Sequence, residues 1–202
     1  MGFILQLVYS LGHNRPATRV LTTDHVRQSA MKERPILFSA PMVRALLEGR
    51  KTQTRRLART APQNRNEAAE IGALIRGNPF GSAGDLLWVK ETWSTPAAWD
   101  YLKPSELSAQ QLKRMSYHAD GQPAGKTRSS LFMPRKASRI WLEILEVRME
   151  RLQTISEADA SAEGVAGPDV ISEYAKLWDR INGAGNWQSN PWVWVVRFRR
   201  KR

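Results

Sequence analysis

Between Arg139 and Arg151 the apolar side chains Ile140, Leu142, Ile144 and Val147 are interleaved with charged and polar ones. That pattern belongs to a β-strand with one face in a core and the other toward water. Such a strand is not stable alone and demands a sheet around it. Candidate partners are Pro35-Ile36-Leu37-Phe38, Leu86-Leu87-Trp88-Val89 after the turn signal Gly84-Asp85, and the aromatic run from Pro191 to Phe198. Lys51 to Ala58 reads as a loop leading into a further strand.

The helical segments between these strands are short. Ser39 is placed to cap a helix whose first turn takes Pro41. Met42, Ala45, Leu46 and Gly49 recur at helical spacing, and Gly49 ends the helix as a left-handed cap. Ser156-Glu157-Ala158-Asp159 opens a second helix, with the serine as cap and the early acids favouring the dipole; Gly164 closes it. Asp169 to Ile181 forms a third, with Tyr174, Leu177, Trp178 and Ile181 on one face. Short strands interspersed with short helices place the chain in the α+β class. The expected form is a small mixed, mostly antiparallel β-barrel with helices at its rim.

The remaining sequence sets the boundaries. Residues 1–33 lack sustained periodicity and read as an irregular N-terminal extension, or alternatively as an arm packed on the domain; Met31 stands where a natural start would fall. The domain spans 34–198, followed by a basic tail at 199–202. Two insertions interrupt it: a long loop near 60–84 with one short helix at 67–75, and an irregular segment at 94–138 with a polar helix near 105–115. No stretch reaches the ~18 uncharged apolar residues of a spanning helix. Met1 to Leu11 is apolar but has no basic residue ahead of it and no small-residue cleavage site after it. Cysteine is absent, so no disulfide framework or thiolate metal site is available, and a reducing, cytoplasmic compartment is expected. His13, His25 and His118 are scattered without zinc spacing, so neither metal nor cofactor is expected.

Lysine and arginine number 31 against 19 acids, a net of +12. A balance of that sign speaks for a polyanionic partner, nucleic acid ahead of membrane. The densest cluster is Gly49-Arg50-Lys51-Thr52-Gln53-Thr54-Arg55-Arg56, with four cations in eight positions. One reading is a solvated basic turn. The other is chemical. Arg50, Arg55 and Arg56 would push the Lys51 pKa down by like-charge repulsion, which makes a lysine usable as a base beside the Thr54 hydroxyl. In a regular strand positions 51 and 54 face opposite ways, so the chain must bend after Gly49 for the two to converge.

Gly49, Lys51 and Arg56 reproduce the Gly-x-Lys-x-x-x-x-Arg signature of the ASCH family, and the order of flanking blocks is similar. The resemblance covers most of 35–58, 84–93 and 139–198, and implies a barrel like that of the PUA domain and association with RNA. Pro41-Met42-Val43-Arg44, Leu131-Phe132-Met133-Pro134-Arg135 and Asn190-Pro191-Trp192-Val193-Trp194 most resemble a phage and prophage branch, often labelled morphogenetic proteins. One small family member is similar to a bacterial amidohydrolase that removes the acetyl group from N4-acetylcytidine. The resemblance carries its catalytic Lys, Thr and Glu onto Lys51, Thr54 and Glu163. Another member is a metal-dependent ribonuclease. The amidohydrolase is about half this length and lacks both insertions, so its pocket is walled differently.

Outside the signature, Arg135, Lys136 and Arg139 follow Lys126 and Arg128 in a stretch, 121–142, that contains no acid. It reads as a phosphate-binding stripe or as a solvated face. Phe132, Trp88 and Trp93 are candidates for base stacking or for core. Glu91 is placed either beside Lys51 or in a rim ion pair. Three functions compete: a hydrolase acting on RNA or a modified nucleoside with Lys51, Thr54 and Glu163; a binding module using Arg50, Arg55, Arg56, Arg135, Lys136 and Arg139; and a phage assembly factor.

Overall fold

The computed structural model describes residues 31–58, 78–121 and 123–201. The expected helix at 67–75 and the N-terminal extension up to residue 30 lie outside them. The strands are β1 (Glu33–Leu37), β2 (Gln53–Leu57), β3 (Leu86–Lys90), β4 (Trp93–Ser94), β5 (Ser116–Tyr117), β6 (Trp141–Arg151) and β7 (Trp192–Arg200). The helices are α1 (Ala40–Leu47), α2 (Ala109–Leu112), α3 (Glu157–Ala162) and α4 (Val170–Asn182). Among the described residues, no helix is long and apolar enough to cross a membrane.

Five strands form one sheet in the order β1-β3-β6-β7-β2, and β4 pairs with β5 separately. All pairings are antiparallel except β1 with β3. The long alternating strand read between Arg139 and Arg151 is β6. It loses register once, between Ile144 and Glu146, where Leu145 is the extra residue of a bulge. The expected barrel does not close among the described residues, because β1 and β2 are the two edges and share no ladder. A side chain joins them instead: Arg56 Nη2 donates to Leu37 O at 2.6 Å.

Two cores flank the sheet. Ile36, Val43, Leu46, Leu87, Leu142, Val196 and Phe198 form one, beneath α1. Leu152, Ala160, Tyr174, Trp178, Val193 and Val195 form the other, beneath α3 and α4. β7 contributes alternate residues to both, which explains its unbroken apolar run Val193-Trp194-Val195-Val196. The segment 94–138 has a core of its own, in which Trp93, Leu107, Leu112, Met133 and Ala137 pack together. Its helix is shorter than the one expected at 105–115. Pro104 starts a single 3₁₀ turn, and the Ser108 hydroxyl then accepts from Gln111 N to begin α2. Two starts in five residues leave room for only one turn each.

The parallel β1–β3 pair cannot be held by a hairpin, and Asp85 does that work. Its carboxylate accepts from Lys32 N at 2.9 Å, Ser82 N at 3.0 Å and Arg34 Nη1 at 3.3 Å. Burial pushes this carboxyl up, but the two backbone donors and Arg34 outweigh it and hold the pKa below the usual value. A carboxyl depressed in the folded state stabilises above its unfolded pKa of ~3.9, and that stability is lost as pH falls through the folded value. Asp85→Asn is therefore expected to cost ~1–3 kcal/mol in urea unfolding at pH 7. The gap to the parent should narrow at pH 3; an equal gap at both pH values would refute the assignment.

Candidate functional site

Gly49 has φ +77°, and with it α1 ends and the chain turns back. Arg50 N and Lys51 N both donate to Ala45 O, at 2.9 and 3.0 Å, which aims Lys51 inward before β2 begins. The bend demanded by the spacing of Lys51 and Thr54 is therefore this turn. Opposite it, α3 ends at Gly164, φ +88°. A Cβ at Gly164 would stand 3.0 Å from Ala45 Cβ and 3.2 Å from Lys51 Cβ, so glycine allows the two helix ends to touch. Thr52 N donates to Ala162 O at 2.9 Å and fastens the junction.

Lys51 and Glu163 meet there, both 4% exposed. Lys51 Nζ donates to Glu163 Oε2 at 2.8 Å, Glu163 O at 2.7 Å and Gln53 O at 2.8 Å. It also lies 5.4 Å from the centre of the Phe38 ring. Burial lowers the Lys51 pKa; Glu163 opposes the shift, and Arg56 and Arg55 add to it. Like-charge repulsion, the cause expected from the sequence, is thus the smaller contribution.

Arg55 is the second buried cation. Its guanidinium contacts Glu150 Oε1 at 2.5 Å, Asp159 Oδ2 at 3.0 Å and Glu163 Oε1 at 3.4 Å. Burial works against its charge, yet Glu163 and Glu150 outweigh burial and hold the pKa above the ordinary arginine value. Directly paired residues of a ladder share a face. Thr54 and Arg56, opposite Val196 and Trp194, thus lie on one face of β2 and Arg55, opposite Val195, on the other. Because β2 is an edge strand, groups from both faces reach the same space around it.

That space is a cavity of about 640 Å³ between the start of α1, β2 and α4. Lys51, Thr54, Glu163, Arg55, Arg56 and Tyr174 line it, with Phe38, Leu177 and Trp178 as apolar wall. Thr54 is 4% exposed, and its hydroxyl has no hydrogen-bond partner among the described residues. Burial first, then the Glu163 charge, raises the Tyr174 phenol well above its usual value, so it stays protonated as a donor.

The other predicted cations scatter. Arg50 is exposed, pairs with Glu48 and donates to Gly164 O at 3.2 Å. Arg139 is held by Glu91 at 2.9 Å and by Asp120 at 2.5 Å, with its guanidinium 3.8 Å from the Tyr117 ring centre. Glu91 is thus a buried partner of Arg139 and does not line the cavity. Arg135 is exposed, pairs with Glu33 and lies over Trp141; Lys136 is exposed. Arg128 is removed from the expected stripe. It is buried over Trp93 and donates to Leu102 O and Trp99 O at 2.9 Å each. Trp93 is fully buried. Among the described residues, no group of three or more His, Cys, Asp or Glu could hold a metal ion.

Sequence reasoning did not place Phe38, Tyr174, Glu150 or Asp159 in this site. Glu150 and Asp159 meet Arg55 across 95 and 104 residues, and no local spacing announces that.

No family model matches the sequence, and no curated protein matches it. Among solved structures, the ASCH domain of Lactobacillus crispatus JV V101 aligns with 84% of this chain and 79% of its own, at 13% identity and a TM-score of 0.45. A protein of Enterococcus faecalis V583 from the family DUF984 aligns with 84% of this chain and 80% of its own, at 12% identity and a TM-score of 0.42.

The buried pair makes a thermodynamic prediction. Lys51→Met leaves Glu163 facing Arg55 alone and should cost ~3–5 kcal/mol. Lys51→Met combined with Glu163→Leu should cost clearly less than the sum of the two single changes, as read by urea denaturation. Simple additivity would show that the two groups are not coupled.

Proposed function

We propose that the cavity receives a nucleobase of RNA or of a modified nucleoside, and that the chain is an ASCH-type domain hydrolysing an N4-acylated cytidine amide. The observation that carries this reading is the convergence of Lys51, Thr54 and Glu163 on one cavity. The Gly49-x-Lys51-x-x-x-x-Arg56 signature and the base-sized apolar wall support it. Aromatic rings are suited to a base because every base has a stacking face.

In this reading Lys51 takes the proton of the Thr54 hydroxyl as Thr54 Oγ1 attacks the amide carbon. Lys51 then returns a proton to the departing N4, and water hydrolyses the acyl-threonine. A neutral Lys51 has only two N–H groups, whereas three acceptors now surround Nζ. Release of the Lys51 proton therefore requires that one of these three contacts, to Glu163 Oε2, Glu163 O or Gln53 O, be given up. Tyr174 and Arg56 stand ready to donate to the developing oxyanion.

A second reading, a binding module without chemistry, is favoured by the same three bonds to Nζ. They are the pattern of a structural ammonium.

Two measurements separate them. N4-acetylcytidine hydrolysis by the parent should rise with pH along a limb placed below the ordinary lysine pKa of ~10.4. Lys51→Arg, Thr54→Val and Glu163→Gln, each checked for folding, should lower kcat by ~10²-fold or more. Activity that survives all three substitutions overturns the catalytic set. Binding of cytidine monophosphate without turnover of any acylated cytidine assigns the site to the second reading.

Binding should also weaken with salt, each phosphate contact to a single strand contributing a log–log slope of ~0.7. A salt-independent Kd would exclude an electrostatic contribution.

A further inference from the structure

The outer face of the β1-β3-β6 half-sheet carries two tryptophans that belong to none of the three cores. Ile36, Leu87, Val89 and Leu142 point into the core beneath α1. The alternate residues Pro35, Trp88 and Trp141 stand side by side in register on the opposite face. Both tryptophans are half-buried, and each has a cation on its ring: Lys90 at 5.5 Å from the Trp88 centre, Arg135 at 5.0 Å from that of Trp141. Lys90 Nζ also donates to Leu131 O, which brings the Leu131–Phe132 turn to this face. There Leu131 and Phe132 remain 58% and 63% exposed.

The charge on this face is unbalanced. Its acids, Glu33 and Glu143, are paired with Arg135 and Arg199. Lys90 has no carboxylate partner among the described residues, and neither has the exposed Lys136, the chain neighbour of Arg135. One exposed ring, Phe132, beside two half-buried tryptophans and the carboxylate-free Lys90 fits a chain of planar groups joined by phosphates. The face is also continuous with the cavity. Leu37, 39% exposed, lines the cavity mouth and is the direct strand neighbour of Lys90.

We infer that this face is the track for single-stranded RNA flanking the nucleotide in the cavity. The strand would leave over Leu37, run across Lys90, Trp88 and Trp141, stack a base on Phe132 and set phosphates against Lys90 and Lys136. The inference rests on the cavity reading for its starting point and adds the substrate class: a polynucleotide rather than a free nucleoside.

The test compares cytidine monophosphate with a short single-stranded RNA oligomer containing one cytidine. The parent should bind the oligomer at least 10-fold more tightly, with quenching of tryptophan fluorescence. Phe132→Ala with Lys136→Ala should lower oligomer affinity by about 5- to 150-fold, the equivalent of one stacked base at ~1–3 kcal/mol. Both side chains are exposed and outside the cavity, so monophosphate binding should not change. Trp88→Phe, which keeps a ring on the strand, should reduce the quenching.

Equal parent affinity for the two ligands, or an oligomer Kd unmoved by Phe132→Ala with Lys136→Ala, overturns the track and leaves the cavity reading standing. Oligomer binding that depends on Phe132 and Lys136 without any monophosphate binding upholds the track and removes the cavity reading. Loss of a concentration-dependent dimer in the double variant, with RNA affinity unchanged, reassigns the face to a second copy of this chain.

Discussion

Two cations and three carboxylates lie at the junction of α3, β2 and β6, and most of the local architecture serves their mutual satisfaction. A charge taken out of water costs several kcal/mol unless partners and hydrogen bonds surround it. Lys51 meets this demand with three acceptors, and Arg55 with three carboxylates, Glu163 being shared between them. The glycines follow from that requirement. Gly49 turns Lys51 inward, and Gly164 lets the end of α3 come close enough for Glu163 to reach it. A network of this kind gives little net stability, because desolvation consumes most of the attraction. It does make alternative arrangements costly, since any of them leaves a buried charge unpaired.

The open edge of the sheet has a related origin. A barrel closed by a β1–β2 ladder would fill the space between those strands with backbone hydrogen bonds. Here the Arg56 guanidinium reaches Leu37 O instead, with its charged carbon 5.1 Å from the Phe38 ring centre. The residual space becomes the cavity, walled on the far side by α4. The hydrophobic face of α4 therefore serves twice. Tyr174 and Trp178 pack in the core beneath it and also border the cavity.

Strands and helices were legible because their signals are local. The alternation around Leu142 gave β6, the turn at Gly84-Asp85 gave β3, and Ser156 gave α3 a cap whose hydroxyl accepts from Asp159 N. The closed barrel was overestimated because strand patterning says which face is buried and nothing of which edges meet. Within the site, the placement of Lys51, Thr54 and Glu163 came from resemblance to a family motif. Repulsion by neighbouring arginines is the one cause of the Lys51 shift that a sequence displays, because charge proximity is visible there and burial is not. The basic stretch around Arg135 shows the same blindness. Its own segment has no acids, but Glu33, Glu91 and Asp120 arrive from elsewhere in the chain and neutralise Arg135 and Arg139.

The strand order has a consequence in time. β7, the last strand, lies between β6 and β2 and pairs Thr54 with Val196 across almost the whole described chain. Until it docks, β2 has no ladder partner, and Thr54, Arg55 and Arg56 have no fixed orientation. Contacts of such sequence separation are reached late, because loop closure must be met before the pairing rewards it. During synthesis the segment from Lys51 to Leu57 thus emerges long before the strand that orders it. Three cations among those seven residues, with Leu57 the one apolar side chain, favour a solvated segment until β7 is there to pair with it.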